Sequence, residues 1–192
     1  RHIGEDVAEY LNPESKAQQM VLDNIARIYE YPREKIEIGI DGCSAPNFGM
    51  PLSRTAVAFQ KLAIGRDDTE ENSKILVRIK AAMTEYPEMF SGKDRFDLAL
   101  MQSFPGNIVC KGGAEAIQGI GFSEPSIGLA IKIEDGNFRA IYPVCIEVLK
   151  QLGLIDDISK KKFLLPFYNT EIRNAMNLLT GRIVPEFRLK KT

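Results

Sequence analysis

The hydrophobic period of this chain changes at residue 107, and that change limits the folds open to it. Upstream, apolar residues recur at helical spacing. Downstream, strands are predicted near 107–111, 114–122 and 127–135, separated by short turns that include Ser123-Glu124-Pro125 and Asp135-Gly136-Asn137. Connections this short make an antiparallel meander. Helices first, then a sheet, then one helix and a strand describe an α+β chain rather than alternating βαβ units.

The helical part is punctuated clearly. Asn12-Pro13-Glu14 has the form of a helix start, and Ala17, Met20, Val21, Ile25 and Ile28 continue it, predicting a helix over 13–30 that Tyr31-Pro32 ends. A short apolar run, 37–40, enters the loop 41–49. Pro51 opens a second helix with Leu52, Ala56, Phe59 and Leu62-Ala63 inward, closing near Gly65. A third is predicted over 68–86 with Ile75, Ile79, Ala82, Met83 and Tyr86 on one face, stopped by Pro87. A turn at 91–94 precedes a helix-like stretch from Arg95 to Gln102. Beyond the meander, Pro143 is expected to open a helix that ends at Gly153, and a last strand is expected around 182–189 after a Thr180-Gly181 turn. With 192 residues and no low-complexity linker or repeat, the whole span 1–192 reads as a single domain.

Composition excludes several function classes. The 25 basic and 26 acidic residues nearly cancel, so neither nucleic acid nor an anionic membrane surface meets the basic field it needs. Lys160-Lys161-Lys162 is too short to change that and reads as a solvated turn or helix face. No apolar stretch approaches the roughly 20 residues of a membrane span, and no signal peptide is visible. Three widely spaced cysteines, Cys43, Cys110 and Cys145, are no disulfide framework, which points to a reducing, cytoplasmic setting. The first residue is Arg1, so a processed product or a piece of a longer protein is expected.

Most catalytic constellations are absent from the sequence. The single histidine, His2, stands at the chain's start, away from any Ser-His-Asp or Cys-His arrangement. There is no CxxC pair or Walker motif, and the glycines at 112, 113, 119 and 121 do not precede a helix. Two segments remain. Lys111-Gly112-Gly113 places a cation beside bare backbone, which suits a carboxylate or a developing oxyanion; the alternative is a surface lysine before a turn. Its pattern is similar to the Lys-Thr-Gly element of serine β-lactamases and penicillin-binding proteins, which works with a Ser-x-x-Lys helix. The only such spacing here, Ser159 to Lys162, lies in a polar cluster and reads as coincidence. In the second segment, 40–47, Asp41 and Cys43 lie two residues apart in a tight loop. Such a pair can hold a substrate ammonium and ligate zinc or touch substrate; the alternative is a capping aspartate and a buried structural cysteine.

Ile-Asp-Gly-Cys-Ser-Ala-Pro-Asn (40–47), Phe-Ser-Gly-Lys-Asp-Arg-Phe-Asp (90–97) and Cys-Lys-Gly-Gly-Ala-Glu-Ala (110–116) together resemble the L-asparaginase II family, the thermolabile Rhizobium type, in its own order. The resemblance runs from about Ile3 to near Lys190. It implies a serine β-lactamase/glutaminase-like fold and hydrolysis of L-asparagine to L-aspartate and ammonia. It also implies a serine nucleophile activated by lysine and a zinc ion near the substrate. Carried over, Lys111 matches the lysine paired with a second active-site serine, Asp41 a substrate-contacting aspartate and Cys43 a zinc ligand. Gly113 would lie with bare backbone beside the substrate. The family's Ser-x-x-Lys and Cys-Ser-Gly-Lys-His motifs do not occur here, and Ser91-Gly92-Lys93 stands where members tend to be Gly/Thr-rich. A C-terminal portion of the family fold is therefore expected, inactive alone and holding zinc poorly through Cys43. It would be a homo-oligomer or the complement of a missing N-terminal half. The alternative is a non-catalytic remnant that binds an amino acid or a protein partner.

Overall fold

The computed structural model describes residues 3–168 and 170–190. The first helix, α1 (Lys16–Ile28), begins later than its proline cue. Asn12 caps a turn instead, its side chain accepting the Glu14 N–H at 3.0 Å. Ser15 is the cap, accepting the Gln18 N–H at 3.2 Å, and Glu5 takes the Lys16 and Ala17 N–H groups at 2.7 and 3.0 Å. Its one fully buried residue is Leu22. The apolar run 37–40 becomes β1 (Glu37–Ile40), which pairs antiparallel with β2 (Pro46–Gly49), a strand that lies inside the loop expected from sequence.

Pro51 and Gly65 bracket α2 (Leu52–Ile64) as expected, with Gly65 in the left-handed C-cap conformation at φ 66°. Thr69 caps α3 (Glu70–Glu85). Its inward face is Leu76 and Met83, whereas Ile75, Ile79, Ala82 and Tyr86 are exposed. The predicted stripe was therefore turned partly toward solvent. Pro87 both ends α3 and opens the short α4 (Pro87–Ser91). Next comes α5 (Phe96–Ser103), buried continuously from Phe96 to Met101.

The meander is β3 (Ile108–Gly113), β4 (Ile117–Phe122) and β5 (Ile127–Lys132), in that order and antiparallel. Gly112 and Gly113 lie in β3, not in a turn; the reversal is made at 114–116, with Glu115 and Ala116 at φ 57° and 52°. One sheet face takes α2. A Cβ on Gly121 would sit 2.0 Å from the Phe59 carbonyl oxygen, and one on Gly128 would sit 1.9 Å from that of Ala56. Only glycine allows the helix backbone that close. By strand alternation Gln118, Ile120 and Phe122 face the other way. There Ile120 and Phe122 join a core with Leu100 of α5 and Ile146 and Leu149 of α6 (Phe138–Gln151).

Helix α6 starts before Pro143, which lies inside it; Asn137 is the cap and accepts the Arg139 N–H at 3.1 Å. A short α7 (Leu165–Tyr168) precedes the hairpin of β6 (Thr170–Arg173) and β7 (Leu179–Ile183). The last strand thus begins earlier than expected, and Thr180-Gly181 falls within it. The turn is at 174–178, where the Asn174 side chain accepts from Met176 and Leu178, both at 3.0 Å. No helix among the described residues is long and apolar enough to cross a membrane.

Candidate functional site

Strand β3 is an edge strand, and its register sets the site. Lys111 pairs opposite Gly119 and Gly112 opposite Gln118, so the Lys111 Cβ leaves toward the α2 face while Gly112 turns toward α5. The Lys111 side chain is about half exposed and bends at the sheet edge. Its ammonium donates to the Gly112 carbonyl, lies 4.0 Å from Asp97 Oδ2 and stands 6.0 Å from the centre of the Phe90 ring.

Asp97 holds this corner together from the first turn of α5. Oδ2 accepts the Gly112 N–H at 2.9 Å, and Oδ1 accepts Gln118 Nε2 at 2.8 Å. The residue is only 8% exposed, so its carboxylate is a buried charge satisfied by two donors. Gly112 is what lets the strand run this close: a Cβ there would meet Gln118 Oε1 at 3.1 Å and Asp97 Oδ2 at 3.6 Å.

A cleft of about 340 Å³ opens over this corner. Lys111, Gly112 and Gly113 form one side, Arg95 and Asp97 another, and Tyr142 of α6 part of the wall. Phe96 stacks on Tyr142 with ring centres 4.7 Å apart, which stiffens the join between α5 and α6. Burial first, and then the Asp97 charge, push the Tyr142 phenol above its ordinary pKa, against the opposing pull of Arg95. It stays a neutral hydroxyl at neutral pH. Burial and the Asp97 charge likewise push up the Cys110 and Cys145 thiols, both fully buried, so neither is a nucleophile for the cleft.

On the other sheet face a wider hollow of about 630 Å³ runs between β2, α1 and α2, with Phe48 and Phe59 in its wall and Lys111 and Lys132 on its rim. Lys111 and Gly113 line both hollows.

Asp41 and Cys43 sit elsewhere, at the tip of the β1–β2 hairpin, and line neither hollow. The Asp41 carboxylate accepts the Gly42 N–H at 2.7 Å and lies 3.8 Å from Cys43 Sγ. Cys43 is exposed, so it is not a buried structural cysteine. A closed zinc site takes four donors. Among the described residues no three His, Cys, Asp or Glu side chains come together to share an ion, so the described residues do not by themselves make a closed zinc site.

The Ser159–Lys162 spacing makes no dyad: Ser159 Oγ donates to Asp157 Oδ1 at 2.6 Å, and the Lys162 ammonium lies 5.1 Å from the centre of the Phe163 ring. Within the same run Lys161 is not merely solvated, since it donates to the Ser103 carbonyl at 2.7 Å. His2 lies outside the described residues.

Of the residues singled out in the sequence, Lys111 and Gly113 line the cleft and Asp41 and Cys43 do not; Asp97, Arg95, Gln118 and Tyr142, which line it too, were not named there as site residues. Two signals were present: an aspartate opening a helix with no polar face, and one glutamine in a strand otherwise of Ile, Gly and Phe.

A family model described as L-asparaginase II matches residues 1–185 of the chain. A search of curated proteins gave no match.

Proposed function

The chain belongs to the L-asparaginase II family, and on that premise we propose that it serves the hydrolysis of L-asparagine to L-aspartate and ammonia, with the cleft at the end of β3 as the substrate site. The observation that carries this is the corner built by Asp97. It fixes an edge strand that presents one ammonium, Lys111, beside a glycine pair with no side chains in the way. Amide hydrolysis builds negative charge on the carbonyl oxygen, and a cation fixed in a partly closed cleft stabilises it. The Gly112 amide is already committed to Asp97, and Lys111 is the charged group on this strand for that role.

In a Ser-Lys mechanism the serine oxygen attacks the carboxamide carbon as its proton passes to lysine; ammonia then leaves, and water releases L-aspartate from the acyl intermediate. Lys111, on a β-lactamase-like edge strand, is in our proposal not that base but the lysine of the second serine pair, and its ammonium faces the developing oxyanion. Ser91 also lines the cleft, but its Oγ accepts the Leu98 N–H at 3.0 Å, which commits it to α5. We therefore expect the 192-residue chain to bind L-asparagine and L-aspartate without turnover. Calorimetric titration with both, alongside an ammonia-release assay, tests this. Binding that falls at least tenfold in Lys111→Ala, with no ammonia released, is the expected result. Absence of binding by the unaltered chain sinks the proposed site, and ammonia release sinks its inactivity.

A second reading, a non-catalytic remnant with a protein partner, is favoured by one feature. Ile75 and Ile79 of α3 are exposed, as are Tyr86 at its end and Met89 of α4, which is 87% exposed. Binding of neither amino acid would leave that reading standing.

A further inference from the structure

We propose that Arg95 is the residue that selects α-amino acids at this cleft, its guanidinium taking the α-carboxylate while Lys111 faces the reacting amide. The inference rests on the asparaginase reading and adds to it a specificity-determining residue.

Arg95 is held on a rigid frame. It occupies the N-cap position of α5 in extended backbone, φ −97° and ψ 148°, with no side-chain capping bond of its own. Phe96, the next residue, is 2% exposed and stacked on Tyr142; Asp97, the one after, is bonded to β3 and β4. The backbone at 95 therefore cannot drift without unpacking the core, while the side chain reaches the cleft.

Its charge is uncommitted. Arg27, Arg33 and Arg173 each pair with a carboxylate. Among the described residues the Arg95 guanidinium has no hydrogen-bond or ion-pair partner. The cleft then holds two cations, Arg95 and Lys111, against one carboxylate, Asp97, whose oxygens are already taken by Gly112 and Gln118. Such a site takes an anion, and a planar guanidinium matches a carboxylate with two parallel N–H···O bonds. Two separated cations suit a small ligand with one carboxylate and a second, developing negative group. L-asparagine in reaction has that pattern, and so does L-aspartate.

Calorimetry on the full chain tests this with three ligands: L-asparagine, L-aspartate and 3-aminopropanamide, which is L-asparagine without its α-carboxylate. Arg95→Gln should weaken both amino acids by about 10- to 100-fold, the worth of a charge-assisted bidentate pair. Arg95→Lys should recover only part of the loss. 3-Aminopropanamide should bind the unaltered chain far more weakly than L-asparagine, and Arg95→Gln should leave it unchanged. Arg95 is exposed, so its replacement spares the fold, and an unchanged Tm verifies that. Equal binding of L-asparagine by the unaltered chain and Arg95→Gln overturns the role of Arg95 alone. So does 3-aminopropanamide binding as tightly as L-asparagine. An unaltered chain that takes up neither amino acid overturns the asparaginase reading as well, a different signature.

Discussion

Asp97 Oδ2 accepts the Gly112 N–H at 2.9 Å and thereby ties the first turn of α5 to the edge strand that carries Lys111. The same carboxylate holds Gln118 in β4, so one buried side chain sets the spacing of three elements. Asp97→Ala leaves a backbone N–H and a side-chain amide without partners in a buried corner, at a cost of about 2–5 kcal/mol. For a chain of this size the Tm should fall by roughly 2–4 °C per kcal/mol. Asp97→Asn should cost less, about 1 kcal/mol, because its oxygen still serves Gly112 while the Gln118 amide can turn to accept from the new NH₂. Thermal melts of the two variants check the order; equal losses would mean that the charge, not the acceptor geometry, holds the corner.

The contact of α2 with the sheet depends on glycine in the same quantitative way. Gly121→Ala sets a methyl 2.0 Å from the Phe59 carbonyl and 2.9 Å from the Ala63 Cβ. A backbone carbonyl in mid-helix has nowhere to go, so α2 must lift from β4 at a cost of about 1–3 kcal/mol or more. Gly39→Ala, with nothing within 4 Å of its added methyl, serves as the control and should change stability by less than about 0.5 kcal/mol. Urea midpoints for the two variants measure the difference, and a harmless Gly121→Ala would mean that α2 does not sit this close.

Features set by neighbouring residues were legible in the sequence. The Pro51–Gly65 brackets of α2, the meander from 107 and the strand carrying Lys111 all follow from local punctuation and period. Competition between cues was not legible: Asn12-Pro13 lost the first helix to Ser15 and Glu5, and Asn137 outranked Pro143. Nor was anything that depends on which face finds a partner. On α3 the apolar stripe through Ile75 and Ile79 is as periodic as the buried one through Leu76 and Met83, and only the packing of α3 against α2 and β3 decides between them. The site divided the same way. Lys111 and Gly113 could be named from a motif, but Asp97 acts across 15 residues on Gly112, a contact that exists only once α5 is packed.

Glu147 predicts how stability responds to acid. Burial raises the pKa of its carboxyl, but hydrogen bonds from Gln151, Lys150 and Tyr168 outweigh that and hold it below the ordinary value of 4.5. A carboxyl depressed in the folded state contributes stability above its unfolded pKa and loses it as pH falls through the folded one. The group ties α6 to α7, since the Tyr168 hydroxyl donates to Glu147 at 3.2 Å and accepts from Lys150 at 2.6 Å. Glu147→Gln should therefore lower Tm near neutral pH and bring the two melting curves together as pH drops below 4.5. A gap that stays constant down through that range would show that the loss is packing rather than charge.

Thiol reactivity separates the three cysteines and bears directly on zinc. Cys43 is exposed at the hairpin tip, while Cys110 and Cys145 are fully buried with thiols pushed up by burial and by the Asp97 charge. A thiolate-selective reagent should titrate one thiol in the native chain and all three after denaturation. Cys43→Ser should abolish the native signal. Added zinc should give little protection, because Cys43 and the nearby Asp41 offer two donors where a closed site needs four. Strong protection of Cys43 at micromolar zinc would require further ligands to be recruited, from a second copy or from residues outside those described, and would restore zinc to the chemistry of this chain. Fast labelling of a second thiol would instead report that the core between α5, β3 and α6 opens, which the buried Asp97 contacts are built to prevent.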